Sequence, residues 1–363
     1  MRILVVGDSF CPVGVFGAAF ARLGTEHEVT TFDVVDEPGW VARTPSEQRI
    51  REYLGSPAQV IERLAGHEVL VVQGAPVTDA VLDAAPSLRL VCVARGGPVN
   101  VDVDAATERG IPVVITPGKN AQAVAELTLG FIVMLARRMP AIARYLEGGG
   151  ELARDNYEGA KWFGHDLEGR VLGIVGFGQV GRRVAALGVA FGMHVLVYDP
   201  FVATDLIERA GVAPAGALAD LLAEADVVTL HARATKENRG LIGRQQLATL
   251  RRGALFVNTS RDTLVDEDAL YDALADGRVA GAALDLVNPP DLALPPELGR
   301  RHRLFDHPNV ILAPHIGGAT YETLLHGGEM AAAEIERLIA GTPLVNVANR
   351  AGLAAAAIAG GGT

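Results

Sequence analysis

Two side chains suited to holding an acid and moving a proton stand just past short apolar runs. They are Arg261 in FVNTSRD and His315 in ILAPHIGGAT. Arginine offers a planar fork that grips a carboxylate in two places. Histidine is the side chain whose ordinary pKa lets it give and take a proton near neutrality. Together they suit interconversion of a carbonyl and a hydroxyl, where a cation polarises the oxygen and a donor protonates it. Each has a plainer reading too. His315 could be a structural hydrogen-bonding residue at a strand end, and Arg261 could pair with Asp262 or Asp266.

A carbonyl cannot be reduced by these two groups alone, and a second motif suggests where the electrons come from. The stretch IVGFGQVGRR spells G-x-G-x-x-G with Gly176, Gly178 and Gly181. The first glycine permits a tight turn, the second lets backbone approach a pyrophosphate, and the third allows close helix–strand packing. A further apolar run ends in Asp199, 18 residues past Gly181. A carboxylate there accepts hydrogen bonds from a ribose 2′-hydroxyl and repels a 2′-phosphate, so NAD (as NADH) is favoured over NADP. Pro200 and Phe201 follow, with no base ready for a phosphate; Arg233, after a later run, is the one cation that could reach the adenosine end. His231, in TLHARAT, is expected to shape the adenosine pocket. The other glycine-containing start, VVGDSFCPVG, lacks the spacing and is assigned to a different domain.

The elements that must position these groups are legible as an alternation. Strands are expected at 2–7, 69–74, 88–94, 111–116, 170–178, 193–199, 226–232, 253–260, 279–286 and 309–315, each followed by a helical pattern. Near-continuous apolar strands alternating with helices mean parallel sheets covered on both faces. Ten strands are too many for one comfortable sheet, so the expected fold is α/β with two doubly wound domains. Between the fourth and fifth strands, residues 121–138 are apolar on almost every side, the mark of a helix buried between domains or subunits. Pro140 is expected to interrupt it and the glycines 148–150 to end the segment. The segment 348–363 reads as a disordered tail.

A length of 363 residues also favours two domains. The net charge of −11 argues against a nucleic-acid backbone or anionic membrane as partner, though not against a small anion at a local basic site. Cys11 and Cys92 read as buried thiols, and no Cys/His cluster suggests a metal. No apolar run approaches the ~20 residues of a membrane span, and the N-terminus lacks the pattern of a signal peptide. A cytoplasmic enzyme is expected.

Several stretches together resemble the D-isomer-specific 2-hydroxyacid dehydrogenases, the family of phosphoglycerate, glycerate and formate dehydrogenases. They are NVDVDAATERGIPVVITPGKNAQAVAELTLG, GIVGFGQVGRRVA, LVYDP, NTSRDTLVDEDAL, GAALDL and PHIGGAT, running in family order from about Asn100 to Asn346. The resemblance implies a discontinuous, flavodoxin-like substrate domain (1–117 and 317–347) around an inserted NAD-binding Rossmann domain (118–316). It also implies an active site in the cleft between them and a homodimer formed through the long helix. Carried over by position, Arg261 binds the carboxylate and carbonyl of a small anionic 2-oxo or 2-hydroxy acid, and His315 is the acid/base. Gln179 and Val180 meet the pyrophosphate, Asp199 the ribose and Asp285 the nicotinamide side. Val124, Ala232, Thr259, Ser260 and Gly317 line the cofactor groove. The loop ARGGP, with Arg95, Gly96 and Gly97, holds substrate through its backbone amides, and Arg95 adds a cation suited to a second acidic or polar group.

Departures from the family pattern are equally specific. Asp262 stands where a glycine usually follows the arginine, and Val93 stands where phosphoglycerate-specific members carry an arginine. The glutamate that pairs with the histidine falls, counted from Asp285, on Pro290. Three replacements are open: Asp291, one residue further and one methylene shorter; Glu297, if the loop folds back; or no acid. A missing acid would weaken reduction above neutral pH. It also motivates an alternative function, an NAD(H)-sensing binding protein or co-repressor on the same scaffold.

Overall fold

A computed structural model describes residues 1–37, 40–151, 158–287 and 302–354. Two compact units divide the chain: Met1–Lys119 with Thr320–Thr363, and Asn120–Ala319.

The first unit carries five parallel strands in the order β2-β1-β3-β4-β5, namely β1 (Arg2–Gly7), β2 (Glu28–Asp33), β3 (Val69–Val72), β4 (Leu90–Val93) and β5 (Val113–Ile115). All residues of β3 and β4 are buried. Their side chains alternate between two apolar layers: Val91 and Val93 pack on one face, Leu90 and Cys92 on the other. A sheet covered on both faces needs such unbroken apolar strands. The edge strand β2, EVTTFD, was not expected. Its polar side chains fit because no residue of it is fully buried.

The second unit carries seven parallel strands in the order β12-β11-β10-β9-β6-β7-β8. These are β6 (Val171–Val175), β7 (His194–Tyr198), β8 (Ala213–Pro214), β9 (Val227–Leu230), β10 (Ala254–Asn258), β11 (Val279–Leu284) and β12 (Val310–Leu312). Two doubly wound parallel sheets are therefore present, and the seven-stranded one has the Rossmann arrangement. The short edge strand β8 was also not expected; two residues are too few to show a pattern.

Two local expectations need correction. The helix Ala121–Ala136 does not run on to Pro140; it ends four residues earlier, and Arg138 then turns left-handed at φ 57°. Pro140 lies in the first turn of the next helix, Met139–Glu147, where its missing N–H costs no hydrogen bond. The C-terminal segment is ordered further than expected. Residues 350–354 are helical, and Asn349 is buried. Its Oδ1 accepts from the Val113 amide at 3.0 Å while Nδ2 donates to the Ile111 carbonyl at 3.0 Å. A buried amide satisfied in this way anchors the chain to β5.

Candidate active site

In a doubly wound sheet the carboxyl ends of the strands carry the ligand-binding loops. Three neighbouring strands, β10, β11 and β12, supply Arg261, Asp285 and His315 in turn. Adjacent strands lie ~4.8 Å apart, so the backbones that launch Arg261 and His315 are separated by two such spacings.

Backbone hydrogen bonds tie the three ends together. Asn258, the last residue of β10, is fully buried, and its carbonyl accepts from the Asp285 amide at 2.9 Å. Its Nδ2 donates to the Arg261 carbonyl at 2.8 Å, and its Oδ1 accepts from the Ser260 amide at 3.0 Å. A single amide thereby closes the turn that carries Arg261. Arg261 itself is exposed and donates to the Ser260 carbonyl at 2.7 Å. Among the described residues it pairs with neither of the acids expected as partners. Asp262 accepts from the Thr263 amide at 2.8 Å, and Asp266 caps the helix Glu267–Ala275 through the Ala269 amide at 3.0 Å.

His315 is exposed and sits at φ 59°, a left-handed conformation that a side chain makes costly. Asp285, 1% exposed, holds it there. The Asp285 carbonyl accepts from the His315 amide at 2.7 Å, and its two carboxylate oxygens accept from the Ile316 and Gly317 amides at 2.8 Å each. Among the described residues the imidazole has no hydrogen-bonding partner. Pro290, Asp291 and Glu297 lie outside the described residues.

The glycine motif has the shape of a phosphate cradle. Gly176 adopts φ 97°, and a Cβ there would come within 2.6 Å of the Ala232 nitrogen. A Cβ on Gly181 would meet the Gly176 carbonyl oxygen at 2.1 Å, so strand and helix pack too closely for any side chain. Gly178 differs: it caps the helix Gln179–Ala190, and a Cβ on it would meet nothing within 4 Å. Open space over a helix N-terminus is what an incoming pyrophosphate requires. Asp199 Oδ2 accepts from the Phe177 amide at 2.7 Å and Oδ1 from the Phe201 amide at 2.9 Å, which aims the carboxylate at the loop and leaves lone pairs free for a ribose. These residues fit a dinucleotide.

The remaining expected contacts are placed as follows. Gln179 is exposed and Val180 half-buried on the first turn after the cradle. His231 and Ala232 leave β9 beside it; the His231 amide donates to the Val175 carbonyl at 2.7 Å. Burial pushes the His231 imidazole down to about 3, so the ring is neutral, and it shares a 3.0 Å hydrogen bond with the Thr229 hydroxyl. Thr259 is buried, its hydroxyl 2.9 Å from that of Thr128, which in turn donates to the Val124 carbonyl. In the first unit, Arg95 is not free: it donates to the Glu52 carbonyl at 2.7 Å and pairs with the Glu52 carboxylate. The amides of Gly96 and Gly97 donate to nothing among the described residues, and both glycines face open space.

Sequence reasoning missed Asn258 and Glu52. Asn258 was visible as the one polar residue ending the apolar run ALFVN. Glu52 carried no motif.

Known proteins resemble this chain. Residues 129–317 match the family profile described as D-isomer specific 2-hydroxyacid dehydrogenase, NAD binding domain. The chain is 35% identical over 292 residues to a D-3-phosphoglycerate dehydrogenase of Methanocaldococcus jannaschii, covering 80% of this chain but 53% of that protein, so the chain spans about half of that relative's length. It is 39% identical over 283 residues to a glyoxylate reductase of Korarchaeum cryptofilum, covering 77% of this chain and 81% of that one. The crystal structure of the TT0316 protein from Thermus thermophilus superposes with a TM-score of 0.69 at 31% identity, covering 96% of this chain and 100% of that one. With its glycine cradle and the linked strand ends that carry Arg261 and His315, the chain belongs to the D-isomer-specific 2-hydroxyacid dehydrogenase family.

Proposed function

We propose that this protein is an NAD-dependent oxidoreductase interconverting a small D-2-hydroxy acid and its 2-oxo acid. The observation that carries the reading is the hydrogen-bonded link Arg261–Asn258–Asp285–His315, which sets an exposed guanidinium and an exposed imidazole, neither with a carboxylate partner among the described residues, on strand ends two spacings apart. Bound NADH would supply the hydride to C2 of the oxo acid. Arg261 grips the substrate carboxylate and polarises the carbonyl, and His315 gives its proton to the carbonyl oxygen in reduction or takes it back in oxidation. Asp285 positions the His315 turn. Asp199 favours NADH over NADPH, because its carboxylate accepts from hydroxyls and repels phosphate. A homodimer belongs to the same reading, supported by Met134 and Met139, 41% and 46% exposed along the two helices after residue 120.

The deciding experiment is consumption of NADH and NADPH by the purified protein with glyoxylate, hydroxypyruvate, phosphohydroxypyruvate and branched or aromatic 2-oxo acids. Turnover of at least one with NADH is expected. Tight NADH binding with no turnover of any would overturn the reading in favour of a dinucleotide-sensing protein.

A further inference from the structure

His315 is launched from a strand that the sheet by itself holds weakly. β12 has three residues and lies at the edge of the seven-stranded sheet, with β11 as its one neighbour. On that inner side its register is well defined. The Ala282 amide donates to the Asn309 carbonyl at 3.1 Å and the Ala313 amide to the Leu284 carbonyl at 2.9 Å; two residues later His315 bonds to Asp285. Successive carbonyls of a strand point to alternate sides, so the Val310 carbonyl, next to that of Asn309, faces away from β11. So short a strand with an uncovered outer edge would be poorly fixed.

Arg144 covers it. The residue is half-buried on the helix Met139–Glu147. Its Nη2 donates to the Val310 carbonyl at 3.2 Å, and its Nη1 donates to the Phe305 carbonyl at 3.0 Å and to the His307 carbonyl. One rigid fork of charged donors thus gathers three carbonyls from the run that enters β12. Asn309, in the same run, is buried and makes a second tie. Its Nδ2 donates to the Ala280 carbonyl of β11 at 3.1 Å and to the Leu135 carbonyl of the helix Ala121–Ala136 at 3.3 Å. The fit against β11 is close, since a Cβ on Gly281 would lie 2.3 Å from Asn309 Nδ2.

We propose that Arg144 is a positioning residue for His315: its grip on three carbonyls fixes β12 against β11 and so sets where the imidazole stands. The inference rests on the oxidoreductase reading above for what His315 does there. Four residues separate Val310 from His315, and they leave little slack. Ile311 and Leu312 pair with Ala283 and Leu284, Ala313 is bonded to Leu284, and Pro314 has its φ fixed by its ring. A shift at Val310 is therefore passed on to the histidine, and misplacing a reacting group by about 1 Å costs up to about a hundredfold in rate. The glycine cradle follows β6, at the far end of the run β12-β11-β10-β9-β6, and should not feel the loss of Arg144.

The test compares the wild type with Arg144→Gln and with Arg144→Lys, which keeps the charge and loses the fork. The first readout is the NMR signal of the His315 ring in substrate-free protein carrying carbon-13 histidine, assigned by its absence from His315→Gly. Arg144→Gln should shift or broaden that signal, and Arg144→Lys should do so less. The second readout is kinetic: kcat should fall about tenfold or more in Arg144→Gln and less in Arg144→Lys, while the Kd for NADH stays within about twofold of the wild type. A residue that merely supports the fold would lower Tm and leave the His315 signal and kcat unmoved. That pattern overturns the proposal, as does NADH binding that weakens in step with kcat. Should Arg144→Gln not fold, Arg144→Lys decides by the same criteria. Absence of turnover with every 2-oxo acid overturns the oxidoreductase reading, and the His315 signal then still decides the role of Arg144.

Discussion

Asp285 accepts the His315 amide at its carbonyl oxygen, 2.7 Å away, while its carboxylate holds the next two amides. Three successive N–H groups thus converge on one buried residue of the neighbouring strand end. The left-handed backbone of His315 is stabilised by this grip, and the imidazole stays exposed for chemistry.

Asp285→Asn should therefore disable the site without touching the histidine. An amide side chain presents one acceptor oxygen and an NH2 group that opposes a second N–H. Losing a charge-assisted bond in a buried place costs about 1–3 kcal/mol. Thermal denaturation should show that loss, with kcat falling at least about tenfold as the turn loosens. A variant as active and as stable as the wild type would remove the clamp role.

His315 separates chemistry from conformation. Glycine tolerates φ 59° freely, whereas alanine there carries a cost of about 1 kcal/mol. His315→Gly should be at least as stable as His315→Ala, and both should lose about 10²–10⁴-fold in kcat. Retained turnover in either variant would exclude His315 as the proton carrier.

Two of the motif glycines, Gly181 and Gly178, should respond differently to one methyl group. Gly181→Ala forces a Cβ against the Gly176 carbonyl, an overpacking that costs about 1–3 kcal/mol or more. Gly178→Ala meets no protein atom and should fold normally. Its NADH affinity should still drop at least about tenfold, ~1.4 kcal/mol, because the methyl occupies the approach of the pyrophosphate. Fluorescence titration with NADH would check this, and unchanged binding would move the cradle elsewhere.

Neutral His231 makes stability depend on acidity. Its folded value of about 3 lies below its ordinary 6.5, so below pH 6.5 the unfolded chain binds a proton that the folded chain does not. Stability contributed by this residue is present above pH 6.5 and falls as pH drops toward 3, by up to about 1.4 kcal/mol per pH unit. Urea unfolding of wild type and His231→Gln between pH 7 and about pH 4 should give a flatter dependence for the variant. Parallel curves would show that the ring is protonated in the folded protein.

Asp291 is one of the three replacements open for the acid beside His315, and a pH–rate profile tests it. Asp291→Asn should lower the pH above which reduction fails, since a carboxylate favours the protonated imidazole. Coincident pH–rate profiles for variant and wild type would remove Asp291 from the site.

Much of this site could be read along the chain because its requirements are local. A glycine at 176 is demanded by a positive φ and a neighbour 2.6 Å from where a Cβ would be. Buried strands such as β3 and β4 announce themselves by unbroken apolar runs, and Arg261 and His315 by standing just past such runs. Edge strands β2 and β8 did not, because one is half polar and the other two residues long.

Tertiary structure decided how distant residues spend their hydrogen bonds. Residue types and spacing determined the fold class, the glycine turn, Asp199 and the strand ends bearing the proposed catalytic pair. Folding assigned Asp285 to the His315 turn, Asn258 to the Arg261 turn and Glu52 to Arg95, 43 residues away in the chain. Such pairings follow from which strand ends become neighbours in a sheet, and a polar side chain buried or half-buried there must take whichever partner the packing brings.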